Sequence, residues 1–119
     1  MGEQKTILLV EDTPELMETL RRLLEASGYR ILCASDGQQA LEKLTSDPQI
    51  DLLITDLLLP GMNGVDVAAW GARLCPRMKV IFISGVGERA DVQFPQGSVL
   101  LQKPFLGRTL LQKIAEMNE

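Results

Sequence analysis

Five short apolar runs punctuate the chain: TILLV at 6–10, YRILCA at 29–34, DLLITD at 51–56, KVIFIS at 79–84 and SVLLQK at 98–103. Between them the apolar residues change rhythm. Leu16, Leu20, Leu23 and Leu24 recur at helical spacing, as do Ala40, Leu41 and Leu44, then Val67 and Leu74 with Trp70 on or near their stripe. A last stripe runs through Leu106, Leu110, Ile114 and Met117, with Leu111 off it. Alternation between extended runs and 3.6-residue stripes is the pattern of repeated βαβ units. The middle runs are almost unbroken in Leu, Ile, Val and Phe, which suits parallel strands covered by helices on both faces. The expected fold class is α/β, a doubly wound five-stranded parallel sheet.

Local signals place the helix ends. Thr13 is a candidate N-cap with Pro14 in the first helical position, and Gly28 stops that helix. Asp36 or Ser35 can cap the second helix before Asp47-Pro48 ends it, and Asn63 can cap the third with Asp66 three residues on. Between Gly87 and Pro95 only residues 88–94 remain for a fourth helix, barely two turns, so it is expected to be short or poorly ordered.

The length of 119 residues fits one domain over 1–119, and 45% apolar content is enough for one core. A net charge of −4 and the absence of any Lys/Arg block argue against nucleic acid or an anionic membrane as partner. The Ile7–Val10 run is too short for a signal peptide or a span, so a cytoplasmic location is expected. Cys33 and Cys75 sit in no metal-binding spacing and are read as free thiols. Histidine is absent, which excludes Ser-His-Asp and Cys-His catalysis, imidazole zinc sites and a phosphohistidine carrier.

In a doubly wound sheet the functional groups collect past the carboxyl ends of the strands. Those positions hold Glu11 and Asp12, Asp56, Ser84 and Lys103, while the strand interiors are nearly all apolar. Three acids gathered there repel: at an effective dielectric near 20, a pair about 5 Å apart costs on the order of 3 kcal/mol. A hard divalent cation relieves this, and with only oxygen ligands on offer Mg²⁺ is the natural choice, Mn²⁺ being able to substitute. A phosphoryl group fits among a metal, a lysine ammonium and a serine hydroxyl, with Asp56 as its nucleophile. The acidic VEDTPE segment and the lack of a Gly-rich loop disfavour a nucleotide or flavin phosphate. Each group alone has an ordinary explanation as a cap, a loop residue or a solvated charge; four at matching strand ends do not.

Taken together, LLVED, DLLLPGMNG, FISG and LLQKPF make the whole chain resemble the receiver domain of two-component response regulators. The resemblance implies a flavodoxin-like (βα)5 fold with strand order 2-1-3-4-5. It implies that Asp56 is the phosphoacceptor, with direct Mg²⁺ ligation by Asp12, Asp56 and the main-chain carbonyl of Leu58, and with Glu11 acting through water. Ser84 would bond a phosphoryl oxygen, and Lys103-Pro104 would be a cis bond. The donor would be a phosphohistidine on a histidine kinase or phosphotransfer protein, and the chain would catalyse only its own phosphorylation and dephosphorylation. The VLLQKPF segment is more similar to receivers of hybrid histidine kinases than to DNA-binding regulators, with no output domain expected; a stand-alone regulator is the alternative.

The chain departs from the family pattern in three places. Leu100 stands where the family carries a switch aromatic, the Ser84–Lys103 interval is short, and apolar Leu58 and Val86 occupy positions that influence the hydrolytic water. Slow self-dephosphorylation is therefore expected. A weak dimer through the fourth-helix face rests only on Leu111. Two rival functions are a haloacid-dehalogenase-like phosphohydrolase, which needs an acid where Leu58 stands, and an interaction module that has lost phosphorylation.

Overall fold

In the computed structural model, residues 4–47, 49–85 and 94–117 are described. Among these residues, five strands and four helices follow in the order β1 (Thr6–Val10), α1 (Pro14–Ala26), β2 (Arg30–Ala34), α2 (Gly37–Ser46), β3 (Leu52–Asp56), α3 (Gly64–Leu74), β4 (Lys79–Ser84), β5 (Val99–Gln102) and α4 (Gly107–Met117). All four strand pairings are parallel and the sheet order is β2-β1-β3-β4-β5, as expected. Val86 and all but the last residue of the fourth helix expected at 88–94 lie outside the described residues, so the last helix expected from the sequence is α4 here.

The order puts β1, β3 and β4 in the interior, and it shows in their burial: β1 and β3 are buried throughout, whereas edge strand β2 is only half-covered. Alternate residues feed two cores. Leu8, Val10, Leu53 and Phe82 pack beneath α2 and α3 with Ala40, Leu44 and Val67. Ile7, Leu9, Ile54 and Ile81 face the other way, onto Leu20 and Leu24 of α1 and Leu110 and Ile114 of α4. Among the described residues, α2 and α3 thus cover one face of the central strands and α1 and α4 the other.

Of the caps, Asp36 rather than Ser35 accepts from a helical amide, that of Gln39, and Asn63 accepts from Asp66 N–H. Thr13 stands at the N-cap of α1 with Pro14 following, but its side chain makes no capping bond.

The side-chain stripes need correction. Leu74 is exposed and Trp70 is 46% exposed, because α3 turns Val67, Ala68 and Gly71 inward. Gly71 lets Met78 come so close that a Cβ would lie 2.3 Å from its terminal methyl, and Cys75 takes the inward place at the end of the helix. Leu106 is also exposed, since α4 begins only at Gly107; Leu111, read as off the stripe, is half-buried against the core. Leu111 therefore gives no support to a dimer face. Both cysteines are free; burial raises the thiol pKa of each. Among the described residues no helix is long and apolar enough to cross a membrane.

Candidate functional site

The carboxyl edge of the sheet is where chain geometry overrides the preference for a dry interior. Leu57 N–H donates to Ile83 O at 2.8 Å, which carries the β3–β4 pairing one step past Asp56 and holds that carboxyl at the rim. Lys103 N–H donates to Ser84 O at 2.8 Å, so the end of β5 is tied in the same way to the end of β4. Glu11 N–H donates to Ala34 O, extending the β1–β2 pairing past Val10. The positions read from the sequence thus arrive at one edge through continuation of the parallel ladders.

Glu11, Asp12 and Asp56 each bring a carboxylate oxygen within 4.8 Å of the others; among the described residues they form the one cluster of three or more metal-ligating side chains. Glu11 and Asp56 are buried and Asp12 is exposed. Thr13 N–H donates to Glu11 Oε2 at 3.0 Å, but Glu11 Oε1 and Asp56 Oδ1 are buried without any hydrogen-bond donor. The Lys103 ammonium stands 3.3 Å from Asp56 Oδ1 and 3.6 Å from Glu11 Oε1, ion-pair distances without hydrogen-bond geometry. Two buried acceptors lacking donors are costly, and one lysine shared between them is a partial remedy.

The titration behaviour follows. Burial, and then the neighbouring Glu11 carboxyl, push Asp56 up to about 8, against the opposing pull of Lys103. Burial by itself would lower Lys103, but the charges of Asp56 and Glu11 outweigh it and hold the ammonium above its ordinary range. The pocket is short of positive charge. An oxygen-only set with two orphaned acceptors fits a hard divalent cation, which would satisfy both.

Ser84 is buried, and its hydroxyl donates to Gly85 O at 3.2 Å, a bond a better acceptor could replace. The Leu58 side chain is 64% exposed. Leu100 is exposed on β5 beside Phe82, and Lys103-Pro104 is a cis peptide. Sequence reasoning passed over Thr55, a fully buried residue whose hydroxyl donates to Asp56 O at 3.0 Å; a polar residue directly before the buried acid was the available signal. Gly64, the last residue of the DLLLPGMNG stretch, lies against the Asp56 main chain.

Comparison with known proteins identifies the family and the fold. The family model for the response regulator receiver domain matches residues 7–115. The chain is 34% identical over 116 residues to the response regulator receiver protein CpdR of Brucella abortus, covering 95% of this chain and 96% of that protein. It is 38% identical over 111 residues to the transcriptional regulatory protein CpxR of Escherichia coli, covering 91% of this chain but only 47% of CpxR. The crystal structure of the receiver domain from the hybrid histidine kinase CckA superposes with a TM-score of 0.84 at 31% identity, covering 96% of this chain and 99% of that one. With its ladder-end acids, its lysine and this likeness along nearly its full length, the chain belongs to the response regulator receiver domain family of two-component signalling systems.

Proposed function

We propose that Asp56 is the phosphoacceptor, taking a phosphoryl group from a phosphohistidine on a histidine kinase or phosphotransfer protein. The observation that carries this is the buried, donor-less Asp56 Oδ1 facing Lys103 beside two further acids. In the transfer a carboxylate oxygen of Asp56 bonds to phosphorus as the P–N bond breaks, and the departing imidazole keeps the bonding pair and is protonated by solvent. Asp12, Asp56 and the Leu58 carbonyl would hold Mg²⁺, with Mn²⁺ as substitute and Glu11 bound through water. When bound, the cation supplies positive charge that keeps Asp56 ionised and offsets charge on the phosphoryl oxygens. Lys103 pairs with one of those oxygens and Ser84 donates to another, exchanging its bond to Gly85 O for a stronger one.

On this reading the chain catalyses its own phosphorylation and dephosphorylation and no reaction on a separate substrate. Its place as the receiver of a hybrid histidine kinase is supported by VLLQKPF and by the likeness to the CckA receiver; a stand-alone regulator is the alternative. Acetyl phosphate with Mg²⁺ tests the acceptor. Intact-mass analysis is expected to show one added phosphoryl group, mapped to Asp56 by borohydride trapping. Absence of labelling would favour the phosphorylation-independent interaction module.

A further inference from the structure

Asp56 is joined to α3 by the loop 57–63, which contains Leu58. The loop is closed at its base by Gly64 N–H donating to Leu57 O at 2.8 Å, and Gly61, at φ 79°, supplies a left-handed turn within it. Its two flanks meet two glycines of the same type. Gly37 and Gly64 each follow a side-chain N-cap, Asp36 and Asn63, and each opens its helix. Neither has a positive φ, so backbone conformation does not call for glycine at either place.

Space does. A Cβ on Gly64 would lie 2.2 Å from Asp56 O and 3.1 Å from both Asp56 C and Thr55 Cγ2, contacts that backbone cannot give way to without moving. A Cβ on Gly37 would lie 2.7 Å from Met62 Cβ and 3.3 Å from its Cγ and Sδ. One missing side chain thus seats the main chain of Asp56 against α3, and the other seats the far end of the loop against α2. Asp56 is at one of these seats, and Leu58 lies between them along the chain.

We propose that Gly37 and Gly64 are positioning residues, a two-point seat that holds the Asp56 carboxylate and the Leu58 carbonyl in register with Glu11 and Asp12. The inference rests on the metal-assisted acceptor reading above. A side chain at either glycine displaces one wall of the oxygen set; because Leu57, Leu59 and Met62 of the loop also pack on the core beneath α2 and α3, affinity and thermal stability are read side by side. Ligand sets tolerate displacements of only about half an ångström before affinity suffers.

The test is Mg²⁺ titration by calorimetry on the full chain, alongside thermal melting. Gly64→Ala is expected to weaken Mg²⁺ binding at least about tenfold, the range for residues that orient metal ligands, and Gly37→Ala by less, about threefold, because its Cβ meets a side chain rather than main chain. Leu110→Ala, a core truncation on the opposite side of the sheet, serves as the control: it should lower the melting temperature yet leave affinity within about twofold of wild type. Met62→Gly in the Gly37→Ala background should restore affinity, since the three atoms nearest to the new Cβ all belong to Met62. Unchanged affinity in both glycine variants, or equal weakening by Leu110→Ala, overturns the proposal. Should Gly64→Ala not fold, the Gly37→Ala variant and its rescue decide, and wild-type affinity there overturns it. A wild-type chain that takes up no Mg²⁺ overturns the acceptor reading, and this inference with it.

Discussion

The two edges of the sheet treat their polar groups in opposite ways. At the amino edge every buried or half-buried charge has a partner: Asp51 Oδ2 accepts from Thr6 N–H at 2.8 Å, and Arg30 donates to Thr6 Oγ1 at 3.2 Å and to Asp47 Oδ2 at 2.9 Å. At the carboxyl edge Glu11 Oε1 and Asp56 Oδ1 are buried with no hydrogen bond and share one lysine at ion-pair distance. The titrations diverge accordingly, Arg30 lowering Asp47 while burial raises Asp56. Size does not mark the functional end, since a cleft of about 790 Å³ lies at the amino edge, lined by Lys5, Arg30, Asp51 and Arg77. Satisfied polar groups staple a structure; buried acceptors left without donors cost stability and call for a reason other than stability.

The largest effect should come from exchanging one acid at each edge. Asp56→Asn abolishes labelling by acetyl phosphate or phosphoramidate and leaves the circular dichroism unchanged, whereas Asp51→Asn labels as wild type. Labelling that persists in Asp56→Asn moves the acceptor elsewhere and ends the contrast.

Ligand linkage comes next. Free Mg²⁺ at a hundred times its Kd should stabilise the wild-type chain by about 2.7 kcal/mol in urea unfolding and stabilise Asp56→Asn far less. Equal stabilisation of both would place the ion outside the acid cluster.

The pH dependence of the cation-free protein has a definite sign. Asp56 binds its proton more firmly in the folded chain, at about 8, than an unfolded Asp does near about 3.9. Its contribution is thus fully present below about pH 4 and is lost as the pH rises toward 8. The loss should be on the order of 1–3 kcal/mol, visible as a falling unfolding midpoint that flattens in Asp56→Asn. Asp47, lowered by Arg30, works in the reverse sense, its contribution being present above the unfolded pKa and lost as the pH falls below it. A wild-type midpoint that does not fall between pH 5 and 8 would contradict the description of the carboxyl edge.

A smaller effect concerns the lifetime of the acyl phosphate. The exposed Leu58 side chain has no group to orient water, so phosphorylated protein in Mg²⁺ should persist for minutes or longer, and Leu58→Asn should shorten that about fivefold, roughly 1 kcal/mol in the barrier. A wild-type half-life of seconds would show that water is positioned by something else. The smallest effect belongs to the amino edge: Arg30→Ala breaks a solvent-facing pair and should cost only about 0.2–1 kcal/mol by urea titration. A larger cost would mean that this staple carries more than its exposure suggests.

Much of this was legible beforehand because the signals are local. The apolar runs of β1, β3 and β4 are dictated by burial on both faces, and Glu11, Asp56, Ser84 and Lys103 stand out because each is a polar residue where such a run ends. Trp70, Leu74 and Leu106 were misplaced for the opposite reason. Which side of α3 turns inward depends on how closely Gly71 lets Met78 approach, and where α4 begins decides whether Leu106 is on a helix at all. Neither can be read from periodicity, which reports a stripe without saying how deep a helix sits.

The sequence by itself determined the α/β class, the run of elements around the parallel sheet, the absence of imidazole chemistry and the acids at the strand ends. These follow from residue type and spacing along one chain. The tertiary structure alone decided that Glu11 and Asp56 have orphaned oxygens sharing one lysine, that Thr55 braces the acid from behind, and that Gly37 and Gly64 leave room for the loop between them. These are relations between segments far apart in sequence, where distances of a few tenths of an ångström separate a satisfied group from an unsatisfied one, and only packing sets distances that fine.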